Sequence, residues 1–150
     1  MKNSKALFLL SFIILLLFNV SCSENTTLKE KKFPYKFVET KVEKDGNFQN
    51  KMDLYVYDGE VNIDTLKLFC SYKKDQFNVE DGAFYFLVLF DSKENAVFPN
   101  NPLTALYGLD EKPMKHIRAV YTFNRVNNYS KLDFYEKNMF ESSPKSYDVD

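Results

Sequence analysis

The chain has 150 residues and 17.7 kDa, enough for one domain of the usual 100–200-residue size. Twenty Lys+Arg face 21 Asp+Glu, and hydrophobic residues make up 45% of the chain, which excludes wholesale disorder and a basic nucleic-acid-binding face. Two Cys, one His, four Gly and no Trp exclude a disulfide framework and a Gly-rich phosphate loop.

The chain opens Met1-Lys2-Asn3-Ser4-Lys5, then runs apolar from Ala6 to Phe18, broken only by Ser11. A membrane-spanning helix needs about 20 apolar residues, so this run has the length of a signal-peptide core. An uncleaved anchor or a buried N-terminal helix is the competing reading. Asn19-Val20-Ser21-Cys22 follows, with a small residue directly before the thiol. This arrangement resembles the signal peptide of bacterial lipoproteins, although Asn19 stands where that family usually carries Leu. The resemblance implies removal of residues 1–21, lipidation of Cys22, and an anchor in the cell envelope. Ser23 stands where Asp would mark inner-membrane retention, so the outer membrane is favoured. The resemblance does not reach beyond Cys22.

Ser23–Lys32 (SENTTLKEKK) is polar and without period, so residues 22–32 are expected to form a lipidated Cys and a solvated tether. The folded part is expected over residues 33–150, as one domain. Tyr35–Glu43 interleaves apolar and charged residues and predicts a partly exposed strand. Asp45-Gly46 marks a turn. Lys51–Asp58 predicts a second strand, with Leu54 and Val56 on one face and Tyr55 and Tyr57 on the other. Asn62–Lys74 predicts a helix: Asn62 caps it, Asp64 suits its positive end, and Ile63, Leu66, Phe69 and Cys70 form its apolar stripe. Cys70 reads as a small buried hydrophobe.

Ala83–Phe90 (AFYFLVLF) is a continuous apolar run, the mark of a central strand buried on both faces. Ala96–Phe98 could return as a short strand. Residues 99–115 form the longest irregular connection, where function is often carried. His116–Val126 alternates, and predicts a strand with Ile117, Ala119, Tyr121 and Phe123 on one face. Asn127-Asn128 suits a tight turn. Tyr129–Glu136 then returns as a strand with Leu132 and Phe134 inward, or starts a helix capped at Ser130; the hairpin is favoured. Glu141–Asp150 is expected to be a frayed tail. The resulting fold class is α+β: a small, mostly antiparallel sheet of five or six strands with one packed helix.

No pattern demands catalysis. His116 is the only His, and no Gly-x-Ser-x-Gly elbow presents a nucleophile. No metal site or cofactor is implied. The paired carboxylates Glu80–Asp81, Asp110–Glu111 and Asp53/Asp58 leave a small hydrolase as the alternative. Asp64-Thr65-Leu66 resembles the site at which Bacteroidota-type bacteria O-glycosylate envelope proteins, which makes Thr65 a candidate acceptor. Tyr offers an apolar ring and a hydroxyl, and suits a protein or a glycan partner. Tyr107, Arg118, Arg125 and Tyr129 are the candidate partner-binding residues. The functional expectation is a non-enzymatic, lipid-anchored binding or accessory module of the envelope. An inhibitor or immunity-type lipoprotein is a further alternative.

Overall fold

The computed structural model describes residues 33–77 and 84–150. The signal-peptide, tether and lipidation expectations on residues 1–32, Cys22 included, lie outside the described residues, as does the Glu80–Asp81 pair. The described residues belong to one compact unit that starts at Phe33.

Six strands form one sheet in chain order: β1 (Tyr35–Asp45), β2 (Phe48–Tyr57), β3 (Phe84–Phe90), β4 (Ile117–Asn124), β5 (Tyr129–Phe134) and β6 (Lys145–Asp148). All neighbouring pairs are antiparallel except β2 and β3, which run parallel. A parallel pair needs a crossover. Helix α1 (Ile63–Gln76) supplies it. The architecture is α+β, with a sheet that is mostly antiparallel and one main helix. Asn62 caps α1 through its side-chain oxygen, which accepts the Thr65 N–H at 2.9 Å. No helix among the described residues is long and apolar enough to cross a membrane.

Period-two alternation splits the strands between two cores. Tyr55, Tyr85, Leu87, Leu89, Tyr121 and Leu132 point toward α1 and meet Leu66, Phe69 and Cys70. Met52, Leu54, Val56, Phe86, Val88 and Phe90 point the other way. β3 contributes to both, as its unbroken apolar run requires. The second face is covered by the connection between β3 and β4, including a 3-10 turn (Leu103–Ala105) and the short helix α2 (Glu111–Met114). Leu103 and Tyr107 plug that face, and the Glu43 carboxylate accepts the Leu103 N–H at 2.8 Å. Residues 99–115 therefore serve as the cover of a core.

Four expectations are corrected. Tyr107 is fully buried: its hydroxyl donates to the Val97 carbonyl at 2.8 Å, and the ring packs edge-on against Phe90. Ala96–Phe98 is not a strand; after a turn at Glu94-Asn95 it runs irregularly along the second face, against which Ala96 and Phe98 pack. Ile117 does not share a face with Ala119, Tyr121 and Phe123. The register slips between Leu89 and Phe90, which pair with Ala119 and Ile117, so Arg118 is the extra residue of a bulge and Ile117 joins the second core. The last residues are not frayed: β6 extends the sheet beside β5, and Val149, 4% exposed, closes the helix-side core. The 129–134 segment is a strand, as the hairpin expectation had it, but β4 stops at Asn124 and the turn spans residues 125–128 rather than the Asn127-Asn128 pair alone, with Asn128 at φ 56°.

Candidate functional site

Three places bring polar chemistry together. One is a groove of about 630 Å³ between the C-terminal turn of α1, the β4–β5 turn and the end of β6. It is lined by Lys74, residues 127–131 and residues 148–150. Local chemistry sets its walls. The Asn127 side-chain oxygen accepts the Tyr129 N–H at 3.1 Å, and Asn124 does the same for Val126 at 2.9 Å, so the turn is braced by its own amides. Ser130 Oγ donates to the Val149 carbonyl at 2.6 Å and sits 2.9 Å from the Tyr121 hydroxyl, which tethers floor to core. Lys131 Nζ meets Asp148 Oδ1 at 2.8 Å across β5 and β6. That hydrogen bond holds the Lys131 ammonium above, and the Asp148 carboxyl below, its ordinary range. Tyr129 stands on the rim, 41% exposed.

A second cluster lies at the carboxyl ends of β2 and β3, the end of parallel strands where α/β sheets commonly hold ligands. His116 Nδ1 lies 3.1 Å from Asp91 Oδ1, and the Asp91 N–H donates to the His116 carbonyl at 2.9 Å. Arg118 is committed to its own domain. Its guanidinium donates to the Glu136 carbonyl at 2.9 Å, the Tyr57 hydroxyl at 3.2 Å and the Tyr135 carbonyl at 3.3 Å. These bonds clamp the end of β5 to the β4 bulge. Burial pushes the Tyr57 hydroxyl up, against the opposing pull of Arg118.

The third place is inside. Asp53 is 4% exposed, yet its oxygens are taken: Thr40 Oγ1 donates to one at 2.6 Å, while the Tyr85 hydroxyl at 2.9 Å and Lys51 Nζ at 3.3 Å meet the other. A cavity of about 40 Å³ adjoins them, with Lys73, Gln76 and Phe77 on its wall. Burial, then the Asp53 charge, drives the Tyr85 hydroxyl far above its ordinary range. Asp58, the other member of the Asp53/Asp58 pair, is exposed and paired with Lys36. Asp110 precedes α2, and Glu111 in its first turn lies 3.6 Å from Lys115. Among the described residues, no three His, Cys, Asp or Glu side chains gather as a metal site would require.

Of the candidate binding residues, Tyr129 lines the groove and Arg125 is an exposed residue of the adjoining turn. Arg118 lies with the second cluster, and Tyr107 lies in the core. Thr65 is half-buried in the first turn of α1. Cys70 is wholly buried, and burial drives its thiol far above its ordinary range, which leaves it unreactive. Sequence reasoning missed Lys74 and Asp148 as groove residues. The alternation of Tyr147 and Val149 is too short a signal to mark β6, the strand that brings Asp148 opposite Lys131. No protein family, curated protein or solved structure matches this chain.

Proposed function

We propose that the chain is a lipid-anchored cell-envelope protein that acts as a binding or accessory module at the membrane surface, with Cys22 carrying the lipid. One observation carries this reading: the leader-like stretch over residues 1–21 is followed by Cys22, a polar stretch and then a folded unit that starts at Phe33. Residues 23–32 span at most about 35 Å when extended, so the unit works close to the bilayer. Several acyl chains on one Cys hold it there durably, since each buried CH₂ contributes about 0.8 kcal/mol. Ser23 after the Cys favours the outer membrane.

The groove beside Tyr129 supports a binding role, because it is open and lined by side chains of mixed hydrogen-bonding capacity. The hydrolase alternative draws less support: Asp53 is held by Thr40, Tyr85 and Lys51, and Asp58 pairs with Lys36. An inhibitor role is the same surface reading with a protein as the bound partner. The test is metabolic labelling with a fatty acid in wild type and Cys22→Ala. Label in the wild type that disappears in the variant is the expected result. Because Cys70 is buried, it offers no second acceptor in the folded protein. Equal label in both proteins refutes the anchor.

A further inference from the structure

We propose that the outer edge of β1 pairs with the same edge of a second copy of this chain, antiparallel and centred on Val42, so that two six-stranded sheets join into one. The inference goes beyond the anchored-module reading and does not depend on it.

β1 ends the sheet and, at 11 residues, is its longest strand. It has no neighbour on its outer side among the described residues. The opposite edge, β6, holds only four residues. The hairpin with β2 decides which backbone groups of β1 are left over. The two-residue turn at Gly46 and Asn47 makes residues 45 and 48 a hydrogen-bonded pair, and bonded pairs then alternate along the ladder. Residues 45, 43 and 41 therefore bond to β2, while the N–H and C=O groups of Thr40, Val42 and Lys44 face away from the sheet. The Thr40 side chain agrees with this phase: its hydroxyl donates to Asp53, directly opposite, at 2.6 Å, as the closer, non-bonded pairs allow. Thr40, Val42 and Lys44 are all exposed, Val42 at 52%. Such a row of unpaired donors and acceptors is a template for another strand.

Charge selects the occupant and the register. Opposite charges directly across a strand pair stabilise it, and like charges destabilise it. Centred on Val42, Lys41 of each copy stands opposite Glu43 of the other, which makes two ion pairs on one face. Val42 meets Val42, and Thr40 meets Lys44, on the other. Lys41 makes no ion pair among the described residues, and Glu43 uses Oε2 on the Leu103 N–H, which leaves Oε1. Centring on Lys41, Glu43 or Lys44 sets like charges together at the axis. Centring on Thr40 pairs Glu39 with Lys41, but the ladder then meets the β1 bulge between Phe37 and Glu39. The favoured register carries one cost: Glu39 stands opposite residue 45, which is also acidic. A ladder this short lies at the small end of specific interfaces, so the dimer is weak, with a Kd on the order of 100 μM.

The test uses the full chain in detergent with Cys22→Ser, which leaves an introduced thiol as the reactive one because Cys70 is buried. Thr40→Cys, Val42→Cys and Lys44→Cys are each oxidised with diamide and run on a non-reducing gel. In the proposed register the two copies of residue 42 lie about 5.5 Å apart at Cα, within disulfide reach, whereas two copies of residue 40 or 44 lie about 14 Å apart. The expected result is a cross-linked dimer with Val42→Cys, at least tenfold more abundant than with either neighbour alone. Mixing Thr40→Cys with Lys44→Cys should restore the link. In sedimentation equilibrium without introduced thiols, Lys41→Glu should weaken the dimer about tenfold, and Glu39→Lys should tighten it about threefold. Unchanged far-UV circular dichroism shows that the variants are folded. The proposal is overturned if Val42→Cys gives no dimer, if all three thiol variants link equally, or if Lys41→Glu associates as the parent does. An edge filled by another segment or another protein gives the first of these results.

Discussion

Removing the same oxygen from two tyrosines should move stability in opposite directions. The Tyr35 hydroxyl is buried without a hydrogen-bond partner among the described residues. The Tyr85 hydroxyl is buried too, but donates to the Asp53 carboxylate at 2.9 Å. An unpartnered buried hydroxyl costs roughly 1–3 kcal/mol in protein mutational data, so Tyr35→Phe should stabilise the domain by about 1 kcal/mol. A hydrogen bond to a charged group contributes about 1.5–3 kcal/mol, and Tyr85→Phe leaves Asp53 short of one donor. It should destabilise by about 2 kcal/mol. The two variants would then differ by about 3 kcal/mol, or roughly 12 °C in Tm for a domain of this size. Urea and thermal unfolding followed by far-UV circular dichroism would read both shifts, with unchanged m-values as the check on two-state behaviour. The reasoning fails if Tyr35→Phe is destabilising by more than about 0.5 kcal/mol, or if the variants move together.

Other consequences follow from the same packing. Burial pushes the Tyr35, Tyr121 and Tyr135 hydroxyls up to about 12 each, against an ordinary value near 10. The unfolded chain therefore loses these protons first as pH rises, and stability present below pH 10 should fall between about pH 10 and 12. With no Trp in the chain, phenolate absorbance at 295 nm reports this cleanly; release of all ten phenolic protons near pH 10 with circular dichroism intact would contradict it. Val149→Asp should place a charge in the helix-side core and cost about 3 kcal/mol or more, with urea midpoints as the measure. Asn62→Ala should cost about 1 kcal/mol by removing the α1 cap. Glu43→Ala frees the Leu103 N–H, and hydrogen exchange should quicken in residues 103–107 while β3 stays protected.

Local patterns proved legible where one rule acted alone. The cap at Asn62, the stripe through Leu66, Phe69 and Cys70, and the two-sided burial of β3 all appear in the structure as periodicity and capping chemistry dictate. The Asn127-Asn128 pair correctly favoured a hairpin over a helix capped at Ser130. What escaped was whatever depended on a distant partner. Ile117 changes face because a bulge absorbs Arg118, and that bulge is held by Arg118 bonds to the far end of β5. Tyr107 looks like a loop tyrosine until the second face of the sheet, which needs a cover, claims it. Lys145–Asp148 is too short and polar to read as a strand alone; it becomes one because β5 offers an open edge and Val149 a buried place. Groove residues were half legible: Tyr129 and the asparagines announce themselves, whereas Lys74 and Asp148 join through tertiary contacts.

The central strand carries a liability outside the native state. Phe84–Phe90 holds seven apolar residues with no charge and no Pro, the composition that favours cross-β aggregation when exposed. In the native sheet its neighbours β2 and β4 shield it on both edges, and its pairing with β2 is a parallel, non-local one that closes a long loop. Asp91 and Lys93 stand just beyond its end and act as gatekeepers there. A chain held unfolded for any length of time would leave this stretch open to strand pairing with other copies, so the rate at which β2 and β4 close over it sets how much material escapes aggregation.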